Sequence, residues 1–307
     1  MITIPHKAKQ FGVFIIKLLI VIAAFYFIYD QLATNDKLDW AKFSALVKEK
    51  QSVLGILFLL SFSFVNRFLE ILKWQNLVSF IKPIAIGEAT KQVLGALTAG
   101  IFTPNGLGEY AGKALFYEKT KTKKILFLNL ICNGIQLILT IAFGTIGLWF
   151  LGYRFWALLI LLLAFGFWLL AHVSKKIKIK GYSIEKLIQK INEIPKLIHK
   201  KNILLGVCRY LVFSHQYYFL FLAFDVDLPY IIIMANITAV YFLASSLPSF
   251  QFLDFAVKGS VAMFFFGKLG VNEWIIVFIS TLMWLLNVVI PVIIGSYFVL
   301  KFKPKWN

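Results

Sequence analysis

Thr103-Pro104-Asn105-Gly106-Leu107-Gly108-Glu109-Tyr110-Ala111-Gly112-Lys113 breaks an apolar region of the chain and sets an acid and a lysine inside it. Pro followed by Gly ends one helix and starts another. The flanks, about 84–101 and 106–118, therefore read as two legs of a broken helical hairpin. A second stretch repeats the pattern: Leu247-Pro248-Ser249-Phe250-Gln251-Phe252-Leu253-Asp254-Phe255-Ala256-Val257-Lys258, between apolar segments at about 229–246 and 251–267. In both, an acid follows the Pro within five or six residues, and a Lys follows the acid by four. Acid and Lys at i,i+4 share a helix face and are expected to pair, Glu109 with Lys113 and Asp254 with Lys258. A charge at bilayer depth costs roughly 3 kcal/mol on insertion scales, so four such residues must be paired, wetted or useful.

The surroundings make the bilayer the expected solvent. Of 307 residues, 60% are hydrophobic, above the half of ordinary soluble domains. The apolar residues gather in runs of about twenty, the length that crosses a hydrocarbon core. Six crossings are expected, at about 11–30, 53–72, 125–150, 155–173, 203–224 and 273–299. The run after Lys7 and Lys9 has the look of a signal peptide, but its length and the want of a small-x-small cleavage site favour an uncleaved helix. The fold class expected is all-α and polytopic.

Charge sets the orientation. The net charge of +18 would suggest nucleic acid in a soluble protein; here the Lys lie between apolar runs, as the positive-inside rule expects, and no nucleic-acid partner is read. Lys7 and Lys9, then Lys73 and Lys82, then Lys119, Lys121, Lys123 and Lys124 mark inner loops. Residues 30–50 hold Asp30, Asp36, Asp39 and Glu49 against Lys37, Lys42, Lys48 and Lys50, a balance of zero that fits outside. The basic segment 175–202 carries nine Lys against two Glu, +7, and belongs in the cytosol. Asp225, Asp227 and Glu273 flank the second hairpin, which opens outward, and Lys301, Lys303 and Lys305 bring the C-terminus inside. Residues 1–150, with an inward-opening hairpin at 84–118, and 151–307, with an outward-opening hairpin at 229–267, then form two halves of an inverted repeat, the build of many secondary transporters. The alternative that each hairpin leg crosses fully leaves the loop sides unchanged. Within 183–199, Ile184, Leu187, Ile188, Ile191, Ile194 and Ile198 recur at helical spacing with Lys between them, which predicts a helix on the inner leaflet or an ordinary basic connector. Residues 38–47 are read as a similar outer-surface helix.

Further polar residues stand on helix faces: Asn66, Arg67, Glu70 and Lys73, with Arg67 and Glu70 spaced to pair; Asn129, Asn133 and Gln136; Arg209, His215 and Gln216; and Asn287 before Pro291. They either line a polar cavity or hold helices together. Arg209 either snorkels to the inner face or meets a phosphate. Cys132 and Cys208 lie in separate apolar runs, and His6, His172, His199 and His215 are scattered, so no disulfide, zinc or other metal site is read. There is no Walker loop and no Gly-x-Ser-x-Gly, so no catalytic residue and no cofactor is assigned.

The stretch Thr103 to Glu109, with Pro248 to Asp254 as its counterpart, resembles the lysylphosphatidylglycerol synthase transmembrane-region family, the flippase-like integral membrane proteins. That resemblance implies a bacterial cytoplasmic (inner) membrane protein without the cytosolic aminoacyl transferase, and hence no synthase. The second hairpin departs from the family's Gly-rich form: residues 249–253 contain no Gly. The expected function is binding and translocation, between leaflets, of a membrane lipid or lipid-linked amphiphile with an anionic headgroup. Its contacts are expected from Thr103, Pro104, Asn105, Gly106, Gly108, Glu109, Lys113, Arg209, Pro248, Asp254 and Lys258, where helix N-termini also favour an anion. The alternatives are a non-transporting accessory subunit working with envelope-biogenesis partners, and a membrane-embedded lipid-phosphate transferase.

Overall fold

A computed structural model describes residues 15, 18, 19, 22, 26, 53–104, 106–173, 183–247 and 249–302. The crossing at 11–30 lies almost wholly outside them, as do the surface helix read at 38–47, Asn105 and Pro248. The described residues are mostly helical and contain no strand; one isolated bridge joins Pro104 to Phe250.

We number the helices α1 Val53–Val78, α2 Ile86–Gly100, α3 Leu107–Ala114, α4 Thr122–Phe150, α5 Arg154–Val173, α6 Ile184–Asn192, α7 Lys196–Ala223, α8 Tyr230–Ser246, α9 Asp254–Gly267, α10 Glu273–Trp284 and α11 Ile290–Lys301. Helix α10 runs into α11 through a π-helical turn, Leu285–Val289. Among the described residues four continuous helices are long and apolar enough to cross a membrane: α1, the unit ending in α4 (Lys119–Phe150), α5, and α10 through α11 (Glu273–Lys301). The crossing expected at 203–224 falls in α7, which has the length but carries Arg209, His215 and Gln216 and is not among those four.

Both expected hairpins form. Gly106 adopts a left-handed backbone (φ 69°), open to glycine without strain, and starts α3. Thr103 Oγ1 donates to Gly100 O (2.6 Å) and accepts from Gly108 N (2.7 Å), satisfying the turn's backbone locally. The surface helix is shorter than the sequence suggested. It ends at Asn192, because Pro195 cannot continue it; Ile198 belongs to α7, and Ile194 is buried in the same core cluster as Trp74 rather than laid on a surface.

In lipid, apolar surface alone does not draw helices together, so close packing must. Helix α4 packs along α8, and α11 along α2. Small residues mark both seams. A Cβ on Gly147 would collide with Thr238 Oγ1 and Ala235 O, and one on Gly295 with Thr98 Oγ1 and Leu94 O. Helix α1 lies along α7. Trp74, wholly buried, donates to Gln92 Oε1 at 2.7 Å. Ile101, Phe255, Trp284 and Val292 form a small core where the hairpin breaks meet. On α5 only Ala157 is buried and Ile160 packs against the core; most of its other apolar residues are exposed, as a lipid-facing helix requires.

Candidate functional site

Between the two hairpin breaks lies a cavity of about 390 Å³. Helices α1, α4, α7, both hairpins and the π turn contribute to its wall. Charge enters from Arg67 and Glu70, from Arg209, from Glu109, and from Asp254 and Lys258.

The centre of the first-half network is Glu70. Its Oε2 lies 3.4 Å from Lys73 Nζ and 3.2 Å from Arg209 Nη1. Lys73, fully buried, also donates to Cys132 O (3.3 Å) and Gln136 Oε1 (3.5 Å), and Arg209 donates to Gln136 Oε1 (3.3 Å). The expected Arg67–Glu70 pair does not form, because Glu70 is taken by Lys73 on its own helix and by Arg209 from α7. Arg67 Nη2 instead donates to Asn287 O at 2.5 Å. Residue 291, whose N–H would bond that carbonyl in an α-helix, is proline and has none; the arginine supplies the missing donor.

A neutral relay runs beside it. Asn66 Nδ2 donates to Asn287 Oδ1 (2.6 Å), Asn287 Nδ2 to Gln216 Oε1 (3.0 Å), and Gln216 Nε2 to Ser63 Oγ (2.6 Å) and Leu59 O (3.1 Å). Asn287 sits on the π turn, a form common at functional positions.

At the hairpins the two expected pairs part company. Asp254 and Lys258 pair at 2.6 Å, with Lys258 Nζ 5.0 Å from the Tyr241 ring centroid. Glu109 and Lys113 do not. Glu109 Oε1 accepts from Gln251 Nε2 of the opposite hairpin at 2.7 Å. Lys113, fully buried, donates to Asn129 Oδ1 at 2.7 Å and stands 4.7 Å from the Trp74 ring centroid. Both side chains found nonlocal partners better placed than each other.

Of the expected contact residues, Gly106, Glu109, Arg209, Asp254 and Lys258 line the cavity. Thr103 and Gly108 build the turn below it: a Cβ on Gly108 would sit 2.8 Å from Gly100 Cα. Pro104 bridges to Phe250, Lys113 lies behind the wall, and Asn105 and Pro248 fall outside the described residues. Arg209 neither snorkels nor stands free; Glu70 holds it. The sequence reading passed over Gln251, Tyr241, Tyr217 and Trp284. Gln251 carried a signal, as the one amide in the second break. Buried polar atoms facing this region have no protein partner among the described residues: Arg67 Nε, Arg209 Nε, Asn66 Oδ1, Gln136 Nε2 and Gln251 Oε1. No cluster of metal-ligating side chains occurs among the described residues.

The helices and the charged cavity define a helical membrane protein with a polar chamber walled by two broken hairpins. Comparison with protein-family models, with curated proteins and with solved structures finds no match.

Proposed function

We propose that the chain is a flippase-like inverted-repeat membrane protein that binds a lipid, or lipid-linked amphiphile, by its anionic headgroup and moves it between leaflets. In this reading the two hairpins are re-entrant, the N- and C-termini are cytosolic, and the protein belongs to a bacterial cytoplasmic membrane. The observation that carries it is the pair Arg67 and Arg209 in a cavity whose walls include the tips of both hairpins. Paired arginine forks suit phosphate oxygens. A buried charged cavity between interrupted helices is expensive to maintain for packing alone. The reciprocal seams, α4 on α8 and α11 on α2, support the inverted repeat, since each half lends its hairpin to the other's last helix. Leu137, half-exposed and on the cavity rim, suits a tail left in the bilayer.

The test is leaflet exchange of a fluorescent anionic phospholipid in vesicles holding the purified protein. Asp254→Asn with Lys258→Met removes both charges of one pair and should leave a protein that elutes as a single folded species yet loses most exchange. Full exchange by that folded double variant would refute the reading.

A further inference from the structure

The charges around the cavity do not balance. Arg67, Glu70, Glu109, Arg209, Asp254 and Lys258 in the wall sum to zero. Directly behind it, Lys73 and Lys113 are fully buried, and both belong to the same network: Lys73 reaches Glu70, and Lys113 reaches Asn129 on the polar face of α4. Five cations then face three acids, a surplus of +2 among the described residues. The geometry locates the surplus. Glu70 serves two cations at once. Arg67 and Lys113 make their hydrogen bonds to neutral oxygens, Asn287 O and Asn129 Oδ1, while Glu109 is held by the neutral donor Gln251 and has no cation within salt-bridge distance among the described residues. Two uncompensated positive charges away from water are costly unless an anion joins them.

Resting on the transport reading above, we propose that the occupant of this cavity is a lipid whose phosphate carries two negative charges, a phosphomonoester or diphosphate headgroup, in preference to a phosphodiester lipid with one. A dianion cancels the surplus; a monoanion leaves half of it. The guanidinium of Arg67 takes the second charge in this assignment, because among the described residues no carboxylate lies within salt-bridge distance of it, whereas Arg209 already shares Glu70. Glu109 in the same wall sets a limit: it repels a phosphate placed near the first hairpin tip and directs it toward α1 and α7. Lys113 acts through its field rather than by contact.

Native mass spectrometry of the full chain in micelles decides the question with two lipids of identical acyl chains at pH 8, phosphatidic acid and phosphatidylmethanol. They differ by one methyl group and one charge. Phosphatidic acid should bind at least tenfold more tightly. Arg67→Gln and Lys113→Met should each reduce that ratio to threefold or less, Arg67→Lys should keep most of it, and Lys91→Gln on an exposed face should leave it unchanged. Equal binding of the two lipids by the unmodified protein overturns the proposal, whether or not the variants fold. A tenfold preference that survives in folded Arg67→Gln and Lys113→Met also overturns it, since the selection then lies elsewhere. Inorganic pyrophosphate serves as the competitor: displacement of the lipid only at millimolar concentration supports a lipid site, whereas micromolar displacement makes the site one for the free anion and overturns the lipid assignment. Leaflet exchange is measured separately. Exchange without the tenfold preference removes the dianion alone, and tenfold selective binding without any exchange removes transport alone.

Discussion

The crossed partnership at the hairpins can be measured. Glu109 and Lys113 are spaced to pair on one helix, yet Glu109 accepts from Gln251 and Lys113 donates to Asn129. A hydrogen bond to a charged group is worth about 1.5–3 kcal/mol in water-exposed proteins, and polar couplings within membranes average about 0.6 and reach about 1.7 kcal/mol. The 2.7 Å Glu109–Gln251 contact combines a charged acceptor with partial burial, so its coupling should fall near the upper membrane value, about 1.5 kcal/mol, or roughly tenfold in the unfolding equilibrium. The perturbation is a double-mutant cycle of Glu109→Leu and Gln251→Leu, set against a cycle of Glu109→Leu and Lys113→Met. Reversible unfolding in mixed micelles, driven by rising dodecyl sulfate fraction, reads out each variant. The long-range cycle should show about 1.5 kcal/mol and the local one below about 0.5, the level at which independent sites add. A local coupling above 1 kcal/mol with a long-range coupling near zero would refute the placement of both hairpin tips.

Other expectations follow from packing and charge. Gly147→Val and Gly295→Val, where a Cβ already collides with a neighbouring helix, should each cost about 1–3 kcal/mol by overpacking, seen as loss of thermal stability in detergent; Gly166→Ala, with open space around it, should cost little. Glu70→Gln strands Lys73 and Arg209 and should lower stability by about 3–5 kcal/mol, and adding Lys73→Met should recover part of that loss in the same assay. Trp74→Phe removes the donor to Gln92 and leaves part of the fully buried indole's space empty, and should cost at least about 1 kcal/mol. Single cysteines at position 270 should label from outside the cell, and those at 121 and 190 should not; strong external labelling at 190 would overturn the proposed topology.

What the sequence disclosed, and what it withheld, follows from the range of the interactions. The hairpin breaks were legible because Pro104 and Gly106 act on their own backbone. Asp254 with Lys258 was legible because both ends of that pair stand on α9. Glu109 with Lys113 has the same spacing and failed, since Asn129, Trp74 and Gln251 approach from other elements, and periodicity says nothing about which of them arrives. Glu70 is a similar case, as i,i+3 spacing offers it both Arg67 and Lys73 and the choice depends on Arg209. The Ile spacing across 183–199 runs through Pro195 as if it were absent, so periodicity alone extends the helix past its end at Asn192. The π turn left no trace in the apolar pattern of 273–299; Asn287 four residues before Pro291 was its one visible sign.

The seam between α2 and α11 has a consequence in time. Thr98 Oγ1 lies 3.1 Å from Val292 O, and the two residues are 194 positions apart in the chain. At a synthesis rate of about 5–20 residues per second, α2 waits on the order of 10–40 s for the helix it will lie against. During that interval the face of α2 that carries Gly95 and Thr98 meets whatever lines the insertion machinery. The early hairpin is therefore a late-folding element, and the helix that completes the first half is made near the end of the second. Ribosome stalling after α10 should leave the first hairpin open to protease, and release through α11 should close it.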